Sequence, residues 1–354
     1  MLHCGIEKRL ERKTNCIDCI DELGPSAVKV AQRERDMPKA ARKTLPHGIV
    51  ASSVTPFKPD GSIDFPRIKP HIDWLIQERV AGISPLGSSG EFFAMESDAR
   101  KRLVEAALEA VDGRVPTMVG SHHYSTRIAV DLSKHAEKAG ADSLLVVPPY
   151  YGLPTAEGVM DHYRAIADAV SIPVVMYHNA AGTNVDLGTE HLAKLFEEGA
   201  IKGVKMSHLM PDRMVELLQR NLKNATIYAG IDYVAFEGLA HGAHGWISAI
   251  PSMTPRLAAE MYETLAIKRD LVTARKQWAK LAPLMRFVFQ GSHIARNAPA
   301  PHWAAIMKTG LSLIGPDVGQ PLPPSTPLDP QNTATLAALL KSLGYRVKQP
   351  KRKG

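Results

Sequence analysis

Eight short apolar runs recur between residues 48 and 249, each followed by a stretch whose apolar residues fall three and four apart. The runs are GIVASSV (48–54), GISPLG (82–87), PTMVGS (116–121), SLLVVPP (143–149), PVVMYHN (173–179), IKGVKMS (201–207), TIYAGI (226–231) and HGWISA (244–249). A run that is apolar almost throughout is buried on both faces, as in a parallel sheet covered by helices. The intervening stretches, such as DARKRLVEAALEAV and TRIAVDLSKHAEKAG, have the spacing of amphipathic helices, and the second closes on a glycine suited to a helix C-cap. Eight such units predict an α/β fold, a (β/α)8 TIM barrel. A doubly wound open sheet is the alternative, weakened because no G-x-G-x-x-G follows the first run.

Helical spacing continues past the eighth unit, through RLAAEMYETLAIKRD and ARKQWAKLAPLMRFVF, which is more than one barrel helix needs. We therefore expect an appended C-terminal helical bundle. A proline-rich stretch (315–330) leads to a last helix, NTATLAALLKSLGY. The chain divides into an extension (1–46) expected to be unstructured, a barrel (47–253), the last barrel helix with the C-terminal helices (254–345), and a basic tail (346–354) whose end, KQPKRKG, is expected to be disordered. Met37, just before the barrel pattern, is a candidate natural start.

A net charge of +7 invites a nucleic-acid reading, but the charge is terminal. Residues 1–46 hold ten Lys/Arg against seven Asp/Glu, and the tail adds five basic residues from Arg346 onward with no acid, leaving the body between them at −1. No basic binding face follows from that pattern, so no nucleic-acid partner is expected. No apolar run reaches membrane-spanning length and the N-terminus has no signal-peptide apolar core, so a cytoplasmic protein without a membrane partner is expected. Cys4, Cys16 and Cys19 all lie in the extension, so the body has no disulfide framework. The lone C-x-x-C lacks the second pair of a zinc site.

In barrels of this kind chemistry gathers at the C-terminal ends of the strands. Those ends carry Ser88 and Ser89, His122 and His123, Tyr150 and Tyr151, Tyr177 and His178, Lys205, Gly230, and Ile247 with Ser248. On strand alternation Lys205 shares the inward face with Ile201 and Gly203, and Tyr177 on the preceding strand shares it with Val175. An amine of ordinary pKa, near 10.4, is unprotonated only about 0.04% of the time at pH 7. An apolar barrel mouth without a carboxylate penalises the ammonium, and a drop of roughly three units costs only about 4 kcal/mol. A neutral amine there attacks a 2-oxo acid, and the iminium formed accepts electrons from an adjacent breaking bond. A tyrosine suits the accompanying proton transfers. The two glycines of GSSGE (87–91) permit a tight turn whose hydroxyls and N–H groups can cradle a carboxylate.

VTPF (54–57), GSSGEF (87–92), AGADSLLVVPPYY (139–151), VVMY (174–177), GVK (203–205) and GAHGWIS (242–248) together resemble the dihydrodipicolinate synthase / N-acetylneuraminate lyase family, Schiff-base aldolases of (β/α)8 fold. The resemblance implies that Lys205 forms the imine with pyruvate or a related 2-oxo acid and that Tyr177 carries protons. It assigns the carboxylate to Ser88 and Ser89, the rest of the proton relay to Tyr151 across a dimer interface, and the pocket lining to Gly230 and Ile247. Glu91 matches the motif's structural acid. A homotetramer, a dimer of dimers, is implied, with no cofactor and no metal. Members making dihydrodipicolinate carry an arginine where this chain has Gly182, which argues against lysine biosynthesis because glycine cannot clamp a second carboxylate. His178, with His122, His123 and His208, is a candidate for binding the aldehyde side. The expected reaction is aldol cleavage or condensation with an aldehyde partner. Dehydration of a 2-oxo acid through the same imine is the alternative, ahead of a metal-dependent aldolase and a non-catalytic oxo-acid-binding paralogue.

Overall fold

The computed structural model describes residues 45–290 and 302–348. All eight runs form strands: β1 (Gly48–Ser52), β2 (Gly82–Ser84), β3 (Met118–Gly120), β4 (Ser143–Val146), β5 (Val174–His178), β6 (Gly203–Met206), β7 (Thr226–Ala229) and β8 (Gly245–Trp246). Every pairing is parallel, in the order β2-β1-β8-β7-β6-β5-β4-β3. A single parallel bridge, Ile83 to Thr117, closes the cylinder between β2 and the residues entering β3. Every strand residue is buried, as expected of a sheet enclosed by helices.

A packing helix follows each strand, with a short extra helix ahead of it after β5 and after β8: α1 (Phe65–Gln77), α2 (Ser97–Val111), α3 (Thr126–Ala139), α4 (Ala156–Ala169), α5 (Thr189–Glu197), α6 (Asp212–Gln219), α7 (Ala235–Ala240) and α8 (Pro255–Tyr262). Their inward stripes explain their placement. In α2 the residues Leu103, Val104, Ala107, Leu108 and Val111 are all buried. Each large apolar side chain so covered contributes roughly 1.5–3 kcal/mol, more than the fractions of a kcal/mol by which residues differ in helix propensity. Gly140 ends α3 in the left-handed conformation at φ 97°. Leu45 and Pro46 plug the bottom of the barrel: a Cβ at Gly203 would stand 2.8 Å from Leu45 Cδ1, and the Tyr228 hydroxyl donates to Pro46 O at 2.8 Å.

The appended bundle comprises α9 (Leu271–Gln290), α10 (Trp303–Ile314) and α11 (Pro330–Ser342). Asp329 caps α11 by accepting from the Asn332 N–H at 2.8 Å, with Pro330 set at the first helical position. The basic tail departs from expectation at its start. Lys348 N–H donates to Leu313 O at 2.8 Å, tying the chain to α10. Among the described residues no helix is long and apolar enough to cross a membrane. The expectations for the three cysteines, for Met37 and for residues 349–354 lie outside the described residues.

Candidate active site

The register that sets Tyr177 beside Lys205 and Lys205 beside Tyr228 fixes the centre of the barrel mouth. Lys205 is only 5% exposed, and its Nζ lies 3.7 Å from the centroid of the Tyr177 ring. No carboxylate of the described residues comes within ion-pair distance of it. A cation over an aromatic face gains modestly, far less than a buried ion pair recovers, so the amine is seated without being neutralised. It stands in a cavity of about 110 Å³ that opens to solvent.

Ser88 and Ser89 form one wall of that cavity. They follow β2 in a single tight turn, Ser88–Gly90. The Gly90 N–H donates to Gly87 O at 2.9 Å, and the Thr55 hydroxyl holds Gly90 O at 2.7 Å. A Cβ at Gly90 would sit 3.2 Å from Ser53 O, so glycine lets the turn lie close against β1. Glu91 leaves the turn in the left-handed region, at φ 57°.

Asp232 shares the cavity, which corrects the expectation of a mouth free of carboxylates. It accepts from the Trp246 indole N–H at 3.1 Å and from the Ile250 N–H at 3.3 Å. Burial pushes its carboxylic acid up to about 6, although those donors, the Ser248 hydroxyl and the charge on Lys205 all pull the other way. Asn179 and Ser207 also line the space; the Asn179 amide lies 3.4 Å from the Tyr177 hydroxyl, and Ser207 donates to Gly230 O at 3.1 Å. Met285, Val288 and Phe289 from α9 and Trp303 from α10 make an apolar outer wall. Asn179 and Ser207 were accessible to sequence reasoning, since each lies two residues beyond Tyr177 or Lys205 and so on the same face.

Of the residues singled out from sequence, Lys205, Tyr177, Ser88, Ser89 and Gly230 come together around this cavity. Four do not. His178 follows Tyr177 and therefore faces the helix layer, where it is fully buried and its Nε2 accepts from the Leu187 N–H at 3.0 Å. Burial holds its imidazole down to about 4, against the pull of Asp186. Ile247 is fully buried behind the mouth, and its neighbour Ser248 lines the cavity instead. Gly182 sits exposed in a one-turn helix, Ala180–Thr183, and Tyr151 is 89% exposed on the loop after β4. The remaining histidines are absent from the lining as well. His122 packs its ring 4.4 Å from Phe92 and accepts from the Val147 N–H, His123 accepts from the Ser125 N–H, and His208 stacks on His178. Among the described residues no three His, Cys, Asp or Glu side chains converge as metal ligands.

An amine seated beside a phenol and a two-serine turn at the mouth of an eight-stranded parallel barrel defines the class: a lyase of the class I, Schiff-base aldolase type. Comparison with known proteins narrows this. Residues 45–343 match the model of the Dihydrodipicolinate synthetase family, and the chain belongs to that family. It is 36% identical over 275 residues to a 4-hydroxy-tetrahydrodipicolinate synthase of Bradyrhizobium diazoefficiens, covering 78% of this chain and 89% of that one. The homologue from Nitrobacter hamburgensis is likewise 36% identical, over 292 residues, covering 81% and 94%. Among solved structures, dihydrodipicolinate synthase from Aquifex aeolicus superposes with a TM-score of 0.78 at 27% identity, covering 86% of this chain and 100% of that one. YagE, a prophage protein of the dihydrodipicolinic acid synthase family from E. coli K12 in complex with pyruvate, gives 0.76 at 28% identity, covering 84% and 99%.

Proposed function

We propose that the enzyme joins pyruvate or a pyruvate-like 2-oxo acid to an uncharged aldehyde, or cleaves the product of that reaction, through an imine on Lys205. The observation that carries this reading is the buried Lys205 amine, set over Tyr177 and facing Ser88 and Ser89 across one cavity without an acid paired to it. The amine adds to the keto carbon, and Tyr177 returns the proton needed for water to leave as the iminium forms. Ser88 and Ser89 hold the carboxylate so that the keto carbon meets the amine. In the synthetic direction the iminium draws in the electron pair of the adjacent C–H bond as Tyr177 takes the proton, and the enamine then attacks the aldehyde carbon, whose oxygen takes that proton back. In cleavage the C–C electron pair goes to the iminium while the hydroxyl proton goes to Tyr177 and the aldehyde departs.

Two observations support a reaction other than the one for which the relatives are named. Gly182 offers no guanidinium, and the described lining presents Asp232 rather than a second cation, so a carboxylate on the aldehyde partner would be repelled. Dehydration of a polyhydroxylated 2-oxo acid is the second reading, favoured by the hydroxyl-rich lining of Ser52, Ser207 and Ser248. In either case we expect a homotetramer, with the exposed Tyr151 reaching into a neighbouring copy.

Borohydride reduction in the presence of pyruvate, followed by peptide mass analysis, tests the imine: the label is expected on Lys205, and inactivation by a chelator without any label would refute it. Turnover with a panel of neutral and carboxylate-bearing aldehydes tests the partner. Preference for the anionic aldehydes over the neutral ones would restore lysine biosynthesis.

A further inference from the structure

The one other lysine held fully inside the described structure is Lys308, on α10. Its Nζ lies 2.7 Å from Glu91 Oε1, donates to Gln320 O at 3.0 Å, and stands 4.0 Å from the centroid of the Phe57 ring. Both side chains of the pair are 0% exposed. The other Glu91 oxygen accepts from the Leu322 N–H at 2.8 Å. Glu91 is also the residue that closes the serine turn, its N–H donating to Ser88 O at 3.0 Å while its backbone is held at φ 57°. A left-handed backbone at a non-glycine residue persists where surrounding contacts over-determine it. Here those contacts come from more than 200 residues away, from α10 and the proline-rich segment.

We propose that Glu91 and Lys308 are positioning residues: their ion pair anchors the Ser88–Ser89 turn to the C-terminal helices and thereby sets the affinity for the 2-oxo acid carboxylate. This inference rests on the imine reading above. Neither residue touches the substrate, because neither lines the cavity. The anchor therefore acts on binding of the oxo acid and leaves the amine itself in place.

The test uses Glu91→Gln combined with Lys308→Met, which removes both charges together and leaves no unpaired ion inside, and Lys308→Gln as a second variant. Each is titrated with pyruvate, reduced with borohydride and scored by intact mass, with the melting temperature recorded alongside. A folded variant is expected to reach full labelling at saturation but to need about tenfold more pyruvate for half-labelling, the loss that follows from misaligning one hydrogen bond to a charged group. Half-labelling within about twofold of wild type in a folded variant, less than such a bond is worth, overturns the proposal. So does failure of both variants to fold, which would make the pair an element of stability alone. Wild-type protein that takes no label at any pyruvate concentration strikes down the imine reading, and this inference with it.

Discussion

Among the described residues two amines are enclosed, each over an aromatic ring, and their other surroundings differ. Lys308, between α10 and the serine turn, has a carboxylate at 2.7 Å and a backbone carbonyl at 3.0 Å. Lys205, at the mouth, has an aromatic face at 3.7 Å and an open cavity. Burial pushes the Lys308 ammonium down to about 8 even though Glu91 opposes the shift. A lysine whose charge is matched has its donors committed and serves the architecture. A lysine left unmatched beside open space has its amine committed to no partner and facing the cavity. Burial alone does not mark a nucleophile; the missing counter-ion does.

Exchanging each lysine for methionine breaks or sharpens that contrast most directly. Lys205→Met is expected to abolish turnover and borohydride labelling while leaving the melting temperature unchanged or raised, since no partner is stranded. Lys308→Met is expected to destabilise by roughly 3–5 kcal/mol in denaturant titration, because Glu91 is left charged and unpaired inside the protein. If both substitutions behaved alike, the contrast between the two sites would be lost. Tyr177→Phe is expected to lower turnover roughly 100-fold with the fold intact, as loss of a proton carrier does. An unchanged rate would assign the proton transfers elsewhere.

The smallest effect concerns Asp232, the acid that shares the cavity with Lys205 without pairing to it. Its folded-state pKa of about 6 lies above the ordinary unfolded value near 3.9. The folded protein therefore holds that proton more tightly, and the stabilisation it brings is fully present below about pH 4 and lost as pH rises through about 6. Against Asp232→Asn, wild-type stability is expected to fall by on the order of 2 kcal/mol between pH 4 and 7. Denaturation at the two pH values measures this, and parallel behaviour of the two proteins would place the ionised carboxylate in a solvated setting.

Much of this was written into local pattern. The strands were legible because each is a short apolar run, and the meeting of Tyr177 with Lys205 because alternation puts both on the inward face. The same alternation excludes His178, one residue past Tyr177, so its exclusion from the cavity was equally readable. Asp232 was not. It lies in the turn between β7 and α7, where no period operates, and its setting depends on Trp246 from β8 and Ile250 from the short helix after it. The Glu91–Lys308 pair joins two points far apart in the chain and could not be inferred before the docking of α10 was known. The apolar wall from α9 was hidden for the same reason: helical spacing shows which face is greasy, not what it covers.

The single bridge between β2 and β3 gives Gly120 an importance out of proportion to its size. Its N–H donates to Pro85 O at 2.9 Å, and a Cβ there would fall 2.1 Å from Leu86 O, inside the radius of backbone that cannot swing aside. One added methyl would collide with the backbone of Leu86, which leads directly into the serine turn. The approach of β3 to the strand that carries the serine turn thus leaves room for a hydrogen atom and nothing larger.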